Sequence, residues 1–277
     1  MRVISRALPG LPGLLIIPLL AGALLGALPG ALTDLGPAAA AALERAGGGV
    51  VTQVVDGDTL VLDDGTEVRL VGIQAPKLAL GRVGFRPWPL AEAAKAALEA
   101  LSLGRRVALA YGGRRLDRHG RALAHLYDQA GRWLQGELLA RGLARVYTFR
   151  DNRALVGEML ALEGAARAAG RGIWGLRYYR PLALEDAPRF IGSFQLVEGR
   201  VLEAAVVRGR AYLNFGADWR SDFTISISPK DRRRFAAAGI DTAGYAGRRI
   251  RVRGWLKSYN GPMIEVTHPE QIEVLEE

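Results

Sequence analysis

The sequence predicts a β-rich α+β chain in which a small β-barrel packed by helices is followed by a second, smaller β module. Strand-like runs bounded by Asp-Gly signals open the first large block, and three helical stretches are interleaved later in it. The closing block holds five more strand-like runs around one short helix. A length of 277 residues, at roughly 150 per domain, agrees with about two domains.

The chain starts with Arg2 and Arg6, after which nothing charged occurs until Asp34, and residues 14–28 are the most apolar part. A basic start before such a run reads as a secretory signal or a membrane anchor, here residues 1–33. Both readings stay open. Pro9, Pro12, Pro18 and Pro29 weaken a regular spanning helix, and small residues at 38–40 offer no clear cleavage site. Positive charge stays inside, so the rest of the chain is expected outside the cytoplasm, secreted, periplasmic or anchored. Residues 34–48 read as a linker.

The first block, 49–180, opens with apolar runs at 50–55 and 60–62, then Asp63-Asp64-Gly65-Thr66 and a second run at 67–73. This is a β-hairpin with an Asp-Gly turn. Further strands are expected at 106–111 and 122–127. Helices are expected at 90–103, 134–141 and 152–169, ended by Gly104, Gly142 and Gly170. After a linker at 181–189, the second block, 190–277, has strand-like runs at 194–207, 211–215, 223–227, 249–255 and 263–266, with a helix at 230–238. Five strands and one interposed helix are the inventory of a small OB-like β-barrel.

With 49% hydrophobic and 23% charged residues the chain can bury real cores. Its 37 basic and 28 acidic residues leave a net +9, which favours polyanionic partners, nucleic acid or an anionic membrane face. Residues 49–180 hold most of that excess, with 20 basic against 13 acidic residues. The absence of cysteine excludes disulfides, thiolate nucleophiles and Cys-ligated zinc. Three histidines, His119, His125 and His268, make a multi-histidine metal centre improbable.

Asp56 and Asp58 lie two apart, so on a strand they share a face. A two-residue Asp64-Gly65 turn would pair Leu60 with Arg69 and set Arg69 diagonally beside Asp58. A cross-strand ion pair explains that juxtaposition, but two carboxylates and a guanidinium are also what a hard cation and a phosphate require. A second cluster, Asp117-Arg118-His119-Gly120-Arg121, presents two arginines on a tight turn.

Taken together, Asp56-Gly57-Asp58-Thr59, the run from Arg69 to Pro76, the run from Asp117 to Ala124, Arg141-Gly142-Leu143-Ala144 and Gly170-Arg171-Gly172-Ile173-Trp174 closely resemble staphylococcal-nuclease-like (thermonuclease) domains over residues 50–175. The resemblance implies a five-stranded OB barrel with helices and calcium-dependent cleavage of phosphodiester bonds. It makes Asp58 a calcium ligand and Asp56 its acidic neighbour, and Arg69 and Arg121 the pair that clamps the phosphate and stabilises charge in the transition state.

Immediately after Arg69 the chain departs from the pattern. Active members usually read Asp-(Ala or Thr)-Pro-Glu where this chain has Gln74-Ala75-Pro76-Lys77. Gln74 can still offer a carbonyl oxygen as a weak metal ligand. Lys77 offers no oxygen, and as an ammonium it accepts no proton. Relative to the pattern the site gains three positive charges, each worth roughly 3 kcal/mol at about 6 Å and an effective dielectric near 20. Calcium binding is therefore expected to suffer by orders of magnitude. Lys77 could place its ammonium where calcium would sit, or act as a base at depressed pKa. Otherwise hydrolysis is lost and the domain only binds polyanions, or His119 substitutes as base. Arg118, with Trp219 and Tyr259 in polar loops of the second block, are added nucleic-acid contacts. Three functions follow: a phosphodiesterase of endonuclease type acting on DNA or RNA, a non-catalytic nucleic-acid or polyanion-binding module, and a protein-interaction scaffold.

Overall fold

The computed structural model describes residues 43–218 and 220–275. The first barrel is built from β1 (Glu44–Asp56), β2 (Thr59–Leu62), β3 (Glu67–Leu70), β5 (Arg106–Tyr111) and β6 (Ala122–Asp128). They close in the order β1-β2-β3-β6-β5, with β3 and β6 parallel and the other pairs antiparallel. Counted as five barrel members this is the order 1-2-3-5-4 of an OB-type barrel. The long β1 makes closure possible, since its first half pairs β5 and its second half pairs β2. Register shifts along β1 bend it around the barrel. Two short strands, β4 (Ile73–Gln74) and β7 (Arg145–Val146), pair outside the barrel.

Helices α1 (Ala91–Ser102), α2 (Leu134–Ala140) and α3 (Val156–Ala168) pack around it. α1 buries Ala91, Ala94, Leu98 and Leu101, one stripe at helical spacing. Leu98 and Leu101 join Val51, Leu60, Leu70, Leu126, Trp133 and Leu138 in the barrel core. α3 starts at Val156, later than the pattern suggests, because Leu155 adopts a left-handed backbone (φ 58°). Asn152 instead sits in a turn, its side chain donating to the Arg114 carbonyl at 3.1 Å. β1 begins at Glu44, inside the stretch read as linker, and a 3₁₀ segment, Leu184–Phe190, occupies the second linker.

The hairpin register differs from the expected one by a single residue. Thr59, not Leu60, faces Arg69. Leu62 N–H donates to Thr66 O at 3.0 Å and Gly65 takes φ +82°, so the loop has three residues, with glycine in its left-handed position.

The C-terminal strands are β8 (Phe194–Arg200), β9 (Glu203–Val207), β10 (Arg210–Asn214), β11 (Thr224–Ile227), β12 (Arg249–Ser258), β13 (Pro262–Val266) and β14 (Ile272–Val274), with α4 (Pro229–Ala237) between β11 and β12. They pair in the order β9-β10-β11-β13-β12-β8, with β14 also on β12 and with β11 and β13 parallel. With β8 and β9 counted as two parts of one strand this is again the order 1-2-3-5-4 of the OB-like module expected, open where β8 gives way to β9. The 194–207 run breaks into two strands at the fully buried Val201.

The two blocks meet along α3 and β12. Arg253, fully buried, donates to Glu163 of α3 at 2.7 and 3.2 Å and pairs with Glu273 of β14. Nearby, Thr148 Oγ1 lies 2.8 Å from His268 Nε2, and Arg153 forks onto Glu270 at 2.5–3.1 Å. Among the described residues no helix is long and apolar enough to cross a membrane. The signal or anchor expected at 1–33 lies outside them.

Candidate functional site

β1 hands over to β2 through Gly57, where a Cβ would come within 2.7 Å of the Ala75 and Ala94 methyl carbons. That close approach sets Asp58 in the protein interior with no exposed surface. Its carboxylate is fully engaged. Lys77 Nζ lies 2.9 and 2.8 Å from Oδ1 and Oδ2, Arg69 NH1 3.0 Å from Oδ1, and the Ala75 N–H donates to Oδ2 at 2.7 Å. Burial opposes ionisation, but Arg69 and Lys77 outweigh it and hold Asp58 at about 2. Asp56 receives Lys77 less directly, at 3.4 Å. Burial, and then the charge of Asp58, push Asp56 above the usual carboxylate range.

Gln74 does not face this cluster with its carbonyl. β4 and β7 place it opposite Arg145, which donates to Oε1 through Nε at 2.9 Å and NH2 at 2.7 Å. Arg145 is itself buried, and burial lowers it to about 10. It lies 4.8 Å from the Phe194 ring centroid. The weak ligand role expected of Gln74 is therefore taken up by a guanidinium, a partner 71 residues away in sequence.

Calcium needs six to eight oxygens, and these residues do not fit it. Asp58 and Asp56 are held by an ammonium and Gln74 by a guanidinium. Among the described residues no group of three or more His, Cys, Asp or Glu side chains could hold a metal ion.

Arg121 projects from the turn that Gly120, at φ +83°, permits. Asp117 organises that turn, accepting from the His119 N–H at 2.7 Å and the Arg121 N–H at 3.0 Å. It also pairs with the Arg121 guanidinium at 2.7 Å. Arg69 is braced in the same manner, by Ile73 O at 2.8 Å and by Leu70 O and Asp58 O at 3.1 Å. Arg69 and Arg121 line one cleft of about 510 Å³, with Arg114, Arg118 and His119 beside them. The Arg118 Nε–H donates to His119 Nε2 at 3.0 Å, which occupies that ring nitrogen. Tyr147, Phe149 and Trp255 line the same cleft.

Tyr259 is exposed but lines a different cleft of about 590 Å³ on the C-terminal sheet, with Tyr212 and Asn214. Trp219 lies outside the described residues. Sequence reasoning missed Arg114, Tyr147 and Phe149, and took Trp255 only as one of the second block's aromatics, behind Trp219 and Tyr259. Tyr147 and Phe149 are two apart and carry a period-2 signal, but Trp255 joins them only through the docking of β12.

The first block is thus an OB-type barrel with packed helices and an arginine-lined cleft. Residues 67–175 match the family model of staphylococcal nuclease homologues. The match takes in β3 and Arg121; β1 and β2, with Asp56 and Asp58, precede it and complete the barrel. No curated protein matches the chain.

Proposed function

We propose that the protein binds nucleic-acid phosphates in the Arg69–Arg121 cleft without calcium, and that metal-dependent hydrolysis is lost. The observation that supports this is the Lys77 ammonium seated on both oxygens of Asp58 at 2.8 and 2.9 Å. An ammonium there balances the two carboxylates and occupies the oxygens a divalent cation would need. The Glu of the family pattern, the proposed base, has no counterpart at Lys77, and His119 Nε2 already accepts from Arg118. What stays is the positive field of the guanidiniums that line the cleft, with Arg69 and Arg121 already held by Asp58 and Asp117. The proposal carries export as well, supported by the basic start and the uncharged run before Asp34 and read by cell fractionation.

Fluorescence anisotropy of the full-length protein with labelled single-stranded DNA and RNA, in chelator and in calcium, tests it. Binding is expected to be equal in both and to weaken with salt. Arg121→Ala should flatten the logarithmic salt slope by roughly 0.7, one phosphate contact on a single strand. Calcium-stimulated cleavage that Arg69→Ala abolishes would refute the proposal, as would the absence of binding at low salt.

A further inference from the structure

Two large rings stand exposed in the arginine cleft, Phe149 at 51% and Trp255 at 46%. Trp255 comes from the C-terminal sheet, outside the matched region. Along β12, Ile250, Val252 and Leu256 point into the C-terminal core, while Arg253 and Trp255 lie on the opposite face. Arg253 reaches α3 on that face, and Trp255 extends beyond it to the cleft.

The indole is fixed rather than loose. Its Nε1–H donates to Tyr147 Oη at 2.9 Å. Tyr147 is itself wedged edge-on between Phe149 and Phe194, with centroids 4.9 and 4.7 Å away. A preoriented, half-exposed indole in a cleft also lined by Arg114, Arg118 and Arg121 suits a ligand with both anionic groups and flat faces. The arginines make that wall a poor seat for an apolar protein surface.

We propose that Trp255 stacks on an unpaired base of a single-stranded nucleic acid whose backbone the arginines hold, so that the C-terminal sheet makes the cleft prefer single strands to duplex. This rests on the phosphate-binding reading above. In a duplex the base faces are already stacked, and the indole has nothing to cover. Base–aromatic stacking tolerates any sequence, so discrimination between bases is expected to be slight.

Anisotropy of the full-length protein with a labelled oligothymidylate and with a duplex of equal length, and competition by inorganic polyphosphate, test the proposal. Trp255→Ala is expected to weaken oligothymidylate binding roughly 5- to 150-fold while polyphosphate competition with the duplex stays unchanged. Trp255→Phe, which keeps a ring, is expected to restore most of the affinity. An oligothymidylate affinity unmoved by Trp255→Ala but weakened by Arg121→Ala overturns the stacking role and leaves phosphate binding standing. Equal losses on all three probes would make Trp255 a structural residue and also overturn it. Wild-type protein that binds none of them removes the phosphate-binding reading and this one with it.

Discussion

Replacing Lys77 with alanine removes the ammonium from the buried Asp58 carboxylate. At 2.8 Å and an effective dielectric near 20, the bare attraction is about 6 kcal/mol. Much of it is offset by desolvation of the ammonium, and Arg69 remains 3.0 Å from the same carboxylate. The loss should therefore fall below the roughly 3–5 kcal/mol typical of breaking a buried pair, at about 2–3 kcal/mol. For a chain of this size that lowers the midpoint of thermal unfolding by roughly 5–10 °C. The informative part of the experiment is its calcium arm. With the ammonium gone, Asp56 and Asp58 face a position that a divalent cation can approach, and a ligand present at about 100 times its Kd adds about 2.7 kcal/mol. Calcium titrated into a scanning-calorimetry series should raise the midpoint of Lys77→Ala and leave wild type unmoved. Lys77→Met, which keeps the apolar stem, separates lost packing from lost charge. A wild-type midpoint that climbs with calcium as steeply as the variant's would refute the idea that Lys77 fills the cation position.

Urea titration of Glu163→Gln should show a loss of roughly 3–5 kcal/mol, because Arg253 is fully buried and Glu163 also accepts the Val146 N–H at 2.7 Å; a loss under about 1 kcal/mol would mean that water reaches this cluster. Stability should also fall on mild acidification. Burial holds His268 at about 4 and His125 at about 3, below the ordinary 6.5 or so. Between those values the unfolded chain takes up protons that the folded chain refuses, so stability is full above about pH 6.5 and drains away towards pH 4. His268→Gln should flatten that slope in a pH series of urea melts, and an unchanged slope would remove His268 from the account.

The helices and barrel strands were legible because each carries its own period. Ala91, Ala94, Leu98 and Leu101 mark α1 without help from any other segment. Arg69 still reaches Asp58 although the hairpin register is off by one, since a long guanidinium side chain spans the error. The departure at Lys77 from the family pattern exposed the altered charge balance, but only coordinates bring Nζ onto Asp58. Contacts made across distant segments left no trace. Nothing near Gln74 announces Arg145, and Arg253 reads as one more basic surface residue until α3 places Glu163 against it. In the second block the strand inventory was legible from its apolar runs, but the break at Val201 and the pairing of its two halves with different strands, β8 with β12 and β9 with β10, had no local signature.

The buried guanidinium of β12 has a further consequence. A polypeptide severed after Arg180 would retain Glu163 with Arg167 but lose its fully buried counter-ion Arg253, and would uncover Tyr147 and Thr148, now shielded by Phe194 and His268. The border of the family match at residue 175 is thus no seam. Swapping the C-terminal sheet onto another barrel, or removing it, would first require an uncharged, water-tolerant outer flank on α3.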